Sequence, residues 1–156
     1  MGEQRPSQDP RAIRAAAVAA LARRDHLAAE LHQKLQSQGF DPAAAAEVIA
    51  ELATERLLDD ARLIERFVAS RAERGLGPLR IALELKARGA PAAMIEAAVG
   101  AGPDWRAVAR EVRRRKFGAV PPGSWVEKAR QARFLQYRGF SSDHIRAATG
   151  ADTELD

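Results

Sequence analysis

Hydrophobic residues recur along this chain at intervals of three and four positions, with polar residues between them. Leu27, Leu31 and Leu35 form one such stripe, and this spacing is that of one face of an α-helix. The sequence contains no long run of β-branched residues that alternates with polar ones, as a half-buried strand would require. The pattern predicts an all-α protein.

A glycine closes three of these apolar stripes at a fixed interval. The pattern Leu-x-x-x-Gly occurs at residues 35–39, 85–89 and 135–139, each copy fifty positions after the last. The residue just past a helix end often takes a left-handed conformation, which glycine adopts at little cost. Gly39, Gly89 and Gly139 therefore predict three equivalent helix ends in a repeat protein.

Helix-start signals complete three units around these glycines. Asp9, Asp41 and Ser141 are typical N-cap residues, and Pro42 and Pro78 suit a first helical turn. We predict three-helix repeats at residues 10–56, 57–102 and 103–150, with a flexible N-terminal tail (1–9) and a C-terminal tail (151–156). Because such small units bury little surface alone, we expect them to stack into an elongated, curved body.

Composition narrows the class of protein. Hydrophobic residues make up 46% of the chain and charged residues 29%, and cysteine is absent. The apolar stretches are far shorter than the roughly 20 residues of a membrane-spanning helix, and the N-terminus lacks a hydrophobic signal segment. These features predict a soluble cytoplasmic protein with neither disulfides nor a thiolate metal site.

Positive charge is concentrated in the last unit. Residues 104–140 hold ten basic residues but only Asp104, Glu111 and Glu127 as acids. Two interpretations stay open: a solvated arginine-rich face, or a surface for phosphates or for a partner's carboxylates. The candidate contact residues are Arg113, Arg114, Arg115 and Lys116 as the strongest patch, Arg106, Arg110, Lys128, Arg130 and Arg133 beside it, and Arg71, Arg74, Arg80 and Arg88 as a second patch in the middle unit.

Six of the eight aromatic residues also fall between Trp105 and Phe140. They could stack on the bases of single-stranded nucleic acid beside those arginines. The favoured interpretation is structural: we expect Trp105, Trp125, Phe134 and Phe140 to hold the third unit together, because most of them have apolar neighbours at helical spacing.

No pattern in the chain indicates catalysis. Asp59 and Asp60 are adjacent carboxylates, but at a helix start each is better suited to cap backbone N–H groups than to share a proton. His26 and His32 are six positions apart, a spacing that does not place two metal ligands on one helix face. With no nucleophile beside a base, we predict that the protein is not an enzyme.

An ordered set of short motifs points to a family. The motifs are Arg24-Asp25-His26, Glu30-Leu31-x-x-Lys34-Leu35, Gly39-Phe40, Leu58-Asp59-Asp60-x-Arg62, Gly75-x-Gly77-Pro78-x-x-Ile81, Glu84-Leu85, Gly89 and Gly139-Phe140. In this order and spacing, across roughly residues 11–150, they resemble the RecX family of bacterial recombination regulators.

The resemblance implies a protein that binds the RecA recombinase filament along its groove. It also implies suppression of filament growth, ATP hydrolysis and strand exchange without chemistry of its own. The expected partner is therefore the RecA filament, with single- or double-stranded DNA as a further candidate. We predict a monomer that requires no cofactor, no metal and no membrane.

The chain departs from the family pattern at three positions. Leu27 stands where members often have serine, so the capping box with Glu30 lacks its serine, and Asp25 is the remaining candidate cap. Leu63 replaces a usual aromatic residue, and Leu76 replaces a frequent tyrosine. We interpret the shared residues Asp59, Asp60, Gly77 and Pro78 as mainly structural, because helix starts require such residues.

A second function remains open beside filament regulation. Short three-helix units can resemble helix-turn-helix folds, and the last unit is basic, so the chain could be a stand-alone DNA-binding module. Affinity for DNA would then fall steeply with salt and would persist without any recombinase.

Overall fold

The computed structural model of the chain describes residues 4–150, and in this range every regular element is a helix. The helices are α1 (Pro10–Arg23), α2 (Ala28–Ser37), α3 (Pro42–Thr54), α4 (Asp60–Glu73), α5 (Pro78–Ala87), α6 (Ala92–Gly100), α7 (Trp105–Phe117), α8 (Trp125–Tyr137) and α9 (Ser142–Thr149). The prediction of an all-α protein made of three three-helix repeats is confirmed, and the elongated, curved outline stays a prediction. Among residues 4–150, no helix is long and apolar enough to span a membrane.

Side chains cap the helices where the sequence predicted starts. Asp9 accepts a hydrogen bond from the N–H of Arg11, and Asp41 accepts one from Ala44, at 3.0 Å each. Ser124 and Ser141 do the same for α8 and α9. Each cap pairs one of the backbone N–H groups that a helix start leaves without a partner.

The three predicted glycine stops share one backbone conformation. The φ angles of Gly39, Gly89 and Gly139 are +90°, +88° and +96°. An L side chain is strained at such angles, whereas glycine is not. The prediction of three equivalent helix ends is therefore confirmed.

The chain divides into two compact units that do not coincide with the repeats. The first unit contains residues up to Leu63 together with Arg88–Pro91, and the second contains Ile64–Ala87 together with the residues from Ala92 onwards. The core of the first unit comes from α1, α2 and α3 and includes Ile13, Leu31 and Leu52, each with 0% of its surface exposed. Truncating such a buried leucine to alanine costs about 2–5 kcal/mol.

The N-terminal segment is attached to the first unit at one point. The N–H of Ser7 donates to the carbonyl oxygen of Gly39 at 3.1 Å, and the N–H of Asp41 donates to the carbonyl oxygen of Ser7 at 2.8 Å. Ser7 and Phe40 also form a parallel bridge, so residue 7 is anchored to the α2–α3 loop, and the flexibility of the tail stays a prediction. Residues 1–3 and the predicted tail at 151–156 lie outside the described residues.

The start of α2 is capped from another helix. The N–H of Ala28 donates to Oδ1 of Asp60 at 2.9 Å, and the N–H of Leu27 donates to Glu30 at 3.0 Å. Asp25, the cap expected from sequence, makes no such bond, so that prediction is wrong. Asp59 caps its own helix through the N–H of Arg62 at 3.1 Å. The two adjacent carboxylates therefore serve two different helices.

In the second compact unit, the backbones of the α4–α5 loop and the α8–α9 loop touch. The N–H of Gly77 donates to the carbonyl oxygen of Arg138 at 2.8 Å, and the N–H of Leu79 donates to that of Gly139 at 3.0 Å. A Cβ atom on Gly77 would collide with the backbone of Gly139 and Phe140. Gly77 is thus required for this close approach, whereas Pro78 begins α5.

The core of the third repeat is small. It contains Ala109, Leu135, Phe140 and Ala148, with Phe134 packed against it. Half-buried Trp105 is held by a 3.1 Å hydrogen bond from its Nε1 to the carbonyl oxygen of Val99. Trp125 is 83% exposed, so the prediction that it helps hold this repeat together is wrong. The reason is its position at the first residue of α8, ahead of the stripe that packs inward.

Candidate interaction surface

The basic residues predicted as contacts lie in several environments. Some of them pair with acidic side chains or lie against aromatic rings, and others face solvent. In the middle repeat, the carboxylate of Glu84 forms ion pairs with Nε of Arg71 at 3.0 Å and with Nε of Arg80 at 3.6 Å. The guanidinium of Arg71 also lies 4.4 Å from the centre of the Phe67 ring. Glu84 therefore balances only one of these two positive charges.

Arg88 belongs to the first compact unit, where it forms an ion pair with Glu30 at 2.8 Å. Burial alone would raise the pKa of the Glu30 carboxyl, but hydrogen bonds from Arg88 and from the N–H of Leu27 outweigh burial and lower that pKa. Because Glu30 also accepts from the backbone at the start of α2, Arg88 stabilises the same helix end that Asp60 caps.

In the third repeat, one acid serves two arginines. Glu111 accepts from Arg114 at 2.8 Å and from Arg115 at 3.0 Å. These hydrogen bonds lower the pKa of the Glu111 carboxyl to about 2. Arg114 and Arg115 remain exposed, at 57% and 70% of their side-chain surface. The one negative and two positive side chains of this cluster carry a net charge of +1.

Arg113 is not on the surface. Only 7% of the residue is exposed, and its guanidinium donates to the carbonyl oxygens of Gly118 at 3.0 Å and Val120 at 3.3 Å and to Oε1 of Gln131 at 3.2 Å. It ties the α7–α8 connection to α8. The prediction that Arg113 belongs to the exposed patch is wrong, because the backbone carbonyls after α7 turn back over its side chain.

The remaining predicted cations differ in their partners. Arg106 holds Asp143 at 2.7 Å, and this hydrogen bond lowers the pKa of the Asp143 carboxyl. Arg130 lies 3.5 Å from Glu127 and 5.5 Å from the centre of the Phe117 ring. Lys128 is half-buried on α8. Arg110 and Arg133 are exposed and have no ion-pair partner within residues 4–150.

Three cations from the two predicted patches, together with Arg138, meet around one concavity of about 240 Å³ in the second compact unit. Arg74 comes from the end of α4, Arg115 and Lys116 from α7, and Arg138 from the end of α8. We call this site the cationic pocket; its other lining residues are Gly75, Val112 and Phe134. The structure thus joins Arg74 of the middle repeat to Arg115 and Lys116 of the third.

A second concavity, of about 670 Å³, lies between α5, α8 and α9. We call it the α5–α8 groove. It combines exposed apolar side chains with arginines, and its lining includes Leu79, Arg80, Leu83, Arg133, Tyr137 and Arg146. Leu83 is 68% exposed and Tyr137 is 82% exposed, and exposed apolar side chains that line one concavity together mark an interaction site. Apolar groups of this kind, beside arginine, are typical of protein interfaces.

Sequence reasoning missed the groove and the role of Arg138 in the pocket. One signal was present in the sequence: Leu79 and Leu83 are four positions apart, on the opposite side of α5 from the buried pair Ile81 and Leu85. Two leucines on the polar side of an amphipathic helix indicate a surface that is not simply solvated. No comparable signal marks Arg138, because only the fold brings it next to Arg74.

Within residues 4–150, no three His, Asp or Glu side chains lie close enough together to hold a metal ion.

Comparison with known proteins identifies all three repeats. Three family descriptions match in order: "RecX, first three-helix domain" over residues 14–52, the second over 59–99 and the third over 104–149. The chain is 50% identical over 146 residues to the Regulatory protein RecX of Halorhodospira halophila, covering 93% of this chain and 91% of that protein. It is 41% identical over 145 residues to that of Pseudomonas fluorescens, covering 92% and 94%.

Solved structures show the same fold. The crystal structure of RecX from Lactobacillus salivarius superposes with a TM-score of 0.81 at 20% identity, covering 91% of this chain and 95% of that one. A second crystal structure of a regulatory protein RecX gives 0.74 at 16% identity, covering 90% and 71%. The helical repeats are therefore shared across chains whose sequences have diverged widely.

Proposed function

This chain belongs to the RecX family of regulatory proteins, and on that premise we propose that it binds the RecA recombinase filament in the cytoplasm. Binding inhibits filament growth, ATP hydrolysis and strand exchange, and thereby modulates recombination and DNA repair without any catalysis by the chain itself. The observation that carries the proposal is similarity to proteins named Regulatory protein RecX along nearly the whole length of both chains.

The α5–α8 groove is the surface that we assign to the protein part of the filament. Burying Leu83 and Tyr137 against a partner would remove exposed apolar area from water, which is the main favourable term in protein association. Arginine and tyrosine are also enriched among the residues that dominate binding energy. A complementary partner surface is apolar at its centre and acidic at its rim, opposite Arg80 and Arg133.

The exposed cations of the third repeat add a long-range contribution. Arg110, Arg114 and Arg133 are all exposed, and a surface of one charge sign accelerates encounter with a polymer of the opposite sign. This contribution weakens as salt is added, because exposed charges are screened over about 8–10 Å at physiological ionic strength. The apolar groove should be much less sensitive to salt.

Co-sedimentation tests the proposal. The purified protein is centrifuged with RecA filaments on single-stranded DNA, with RecA alone and with DNA alone, and ATP hydrolysis is followed in parallel. We expect the protein in the filament pellet and a reduced rate of hydrolysis. Recovery with DNA alone, and no change in hydrolysis, would instead favour the stand-alone DNA-binding module.

A matched pair of variants tests the groove. Leu83→Asp introduces a charge into the groove, whereas Leu57→Asp introduces the same charge at a leucine that is 52% exposed in the first compact unit. We expect the first variant to bind the filament at least about tenfold more weakly, the scale of an interface hot spot, and the second to bind as the wild type does. Equal binding by both variants would remove the groove from the proposal.

A further inference from the structure

The cationic pocket brings like charges together without an acid to balance them all. Its lining includes Arg74, Arg115, Lys116 and Arg138 but no Asp or Glu. Glu111 pairs with Arg115 from outside the lining, and it is shared with Arg114. Neither Arg74 nor Lys116 has an ion-pair partner within residues 4–150. Uncompensated cations at short range repel one another, so the pocket gains stability when an anion enters.

The pocket is also organised before any ligand arrives. The ring of Phe134 lies under two of the cations, 5.2 Å from the guanidinium of Arg138 and 5.7 Å from Nζ of Lys116. That ring is itself fixed edge-to-face against Phe117 at 5.4 Å. Arg138 also donates to the carbonyl oxygen of Arg74 at 3.5 Å. Cation–π contacts and this bond hold the charged groups near the concavity, which reduces the entropy lost on binding.

We propose that the cationic pocket is a binding site for a single phosphate group. A carboxylate is planar and is satisfied by one guanidinium fork, whereas a phosphate group presents oxygens in several directions. Cations that approach from α4, α7 and α8 match the second geometry. Lysine binds phosphate as a point charge and arginine binds it through paired N–H donors, and the pocket contains both.

Binding of a fluorescent oligothymidylate, measured by anisotropy in the absence of any recombinase, tests this site. The pocket variants are Arg74→Ala and Lys116→Met, which each remove one charge that has no acidic partner. The matched control is Arg110→Ala, which removes an exposed charge from the same helix as Lys116 but outside the pocket. Circular dichroism verifies that the helix content of all three variants is unchanged.

We expect each pocket variant to bind the oligonucleotide about tenfold more weakly, the equivalent of losing one charged hydrogen bond, and the control to change by less than about twofold. The salt dependence gives a second readout. Each phosphate neutralised on a single strand contributes about 0.7 to the slope of log K against log salt, so a variant that combines Arg74→Ala with Lys116→Met should lose about that much slope.

The source of the phosphate is resolved by competition. If inorganic pyrophosphate displaces the oligonucleotide and loses this ability in Lys116→Met, the pocket takes free phosphate groups as well. If only the oligonucleotide binds, the pocket is specific for the backbone of a strand. Equal losses in the control and the pocket variants, or no binding of either probe to the wild type, would overturn the proposal. Because no recombinase is present, either result leaves the proposed filament contact to be judged by its own experiment.

Discussion

Gly39 and Gly139 end equivalent helices in the first and third repeats, yet their surroundings differ. Both have strongly positive φ angles, +90° and +96°. Apart from the adjacent residues, no atom of the described chain lies within 4 Å of the position where Gly39 would place a Cβ, whereas at Gly139 that position overlaps the backbone and Cβ of Arg80. Both positions therefore favour glycine because of the positive φ angle, and Gly139 must also be a glycine because Arg80 leaves no room for a side chain.

The segments that pair with the two loops differ as well. The carbonyl oxygen of Gly39 accepts from Ser7, and that of Gly139 accepts from Leu79. In the third repeat the partner is the start of α5, a regular helix, whereas in the first it is the N-terminal segment ahead of α1. The equivalent loops of the two repeats thus each accept a backbone hydrogen bond from another segment. The packing is tighter at Gly139, where the middle and third repeats meet.

The largest difference in the free energy of unfolding should appear when each of these two glycines is replaced by alanine in a separate variant. Gly39→Ala should cost about 1–2 kcal/mol, the penalty for a left-handed L residue. Gly139→Ala should cost about 2–5 kcal/mol, because overpacking against Arg80 adds roughly 1–3 kcal/mol to that penalty. Urea denaturation followed by circular dichroism measures both free energies of unfolding. Equal losses would mean that the close contact at Gly139 relaxes freely.

Two arginines on α7 show that the same residue type has different effects in a buried and in an exposed position. Arg113 and Arg110 are three positions apart on α7, but only Arg113 is buried. Arg113→Ala should destabilise the fold by about 2–4 kcal/mol, because the acceptors on Gly118 and Gln131 lose a charged donor. Arg110→Ala should change the free energy of unfolding by less than about 0.5 kcal/mol. Thermal and urea unfolding of the two variants, side by side, provide the measurement.

A smaller effect, on the pH dependence of stability, is expected from the start of α9 but not from the equivalent start of α3. At the third position of α9, His144 accepts the N–H of Ser141 at 3.3 Å through Nδ1, and Ser141 in turn caps the N–H of His144. The equivalent position of α3 is Ala44, which carries no ionisable group. Burial is the main cause that lowers the pKa of His144, with Arg106 acting in the same direction and Asp143 and Asp104 opposing it.

Because its pKa is lower in the folded state, protonation of His144 favours unfolding. The stability that the neutral ring contributes is complete above the ordinary histidine pKa of about 6.5 and is lost as pH falls through the folded value. We expect the wild type to lose up to about 1 kcal/mol more than His144→Gln on acidification, the worth of one N-cap. Glutamine keeps the capping geometry without titrating, so parallel pH dependence of the two proteins would contradict this assignment. His26, whose pKa burial also lowers, is present in both and cancels.

The repeats and their helices could be predicted from the sequence because the signals are local. The glycine at position 139, the serine at 141 and the stripe that contains Leu135 all act within about one helical turn of themselves. The basic surface was predicted only in outline. Arg114 and Arg115 are exposed as expected, but Arg113 points inward although it stands beside them in the same run. Charge identifies candidates for a surface, and the direction of each side chain depends on what packs against the helix.

By itself, the sequence determined the all-α class, the three units and the places where helices begin and end. Capping, proline placement and left-handed glycines depend on residues within a few positions of one another. The tertiary structure alone decided that Asp60 caps α2, that Arg113 is buried and that Arg74 shares a pocket with Lys116. Each of these facts joins residues that are far apart in the chain, and such contacts form only when the helices pack, a cooperative process that no local pattern encodes.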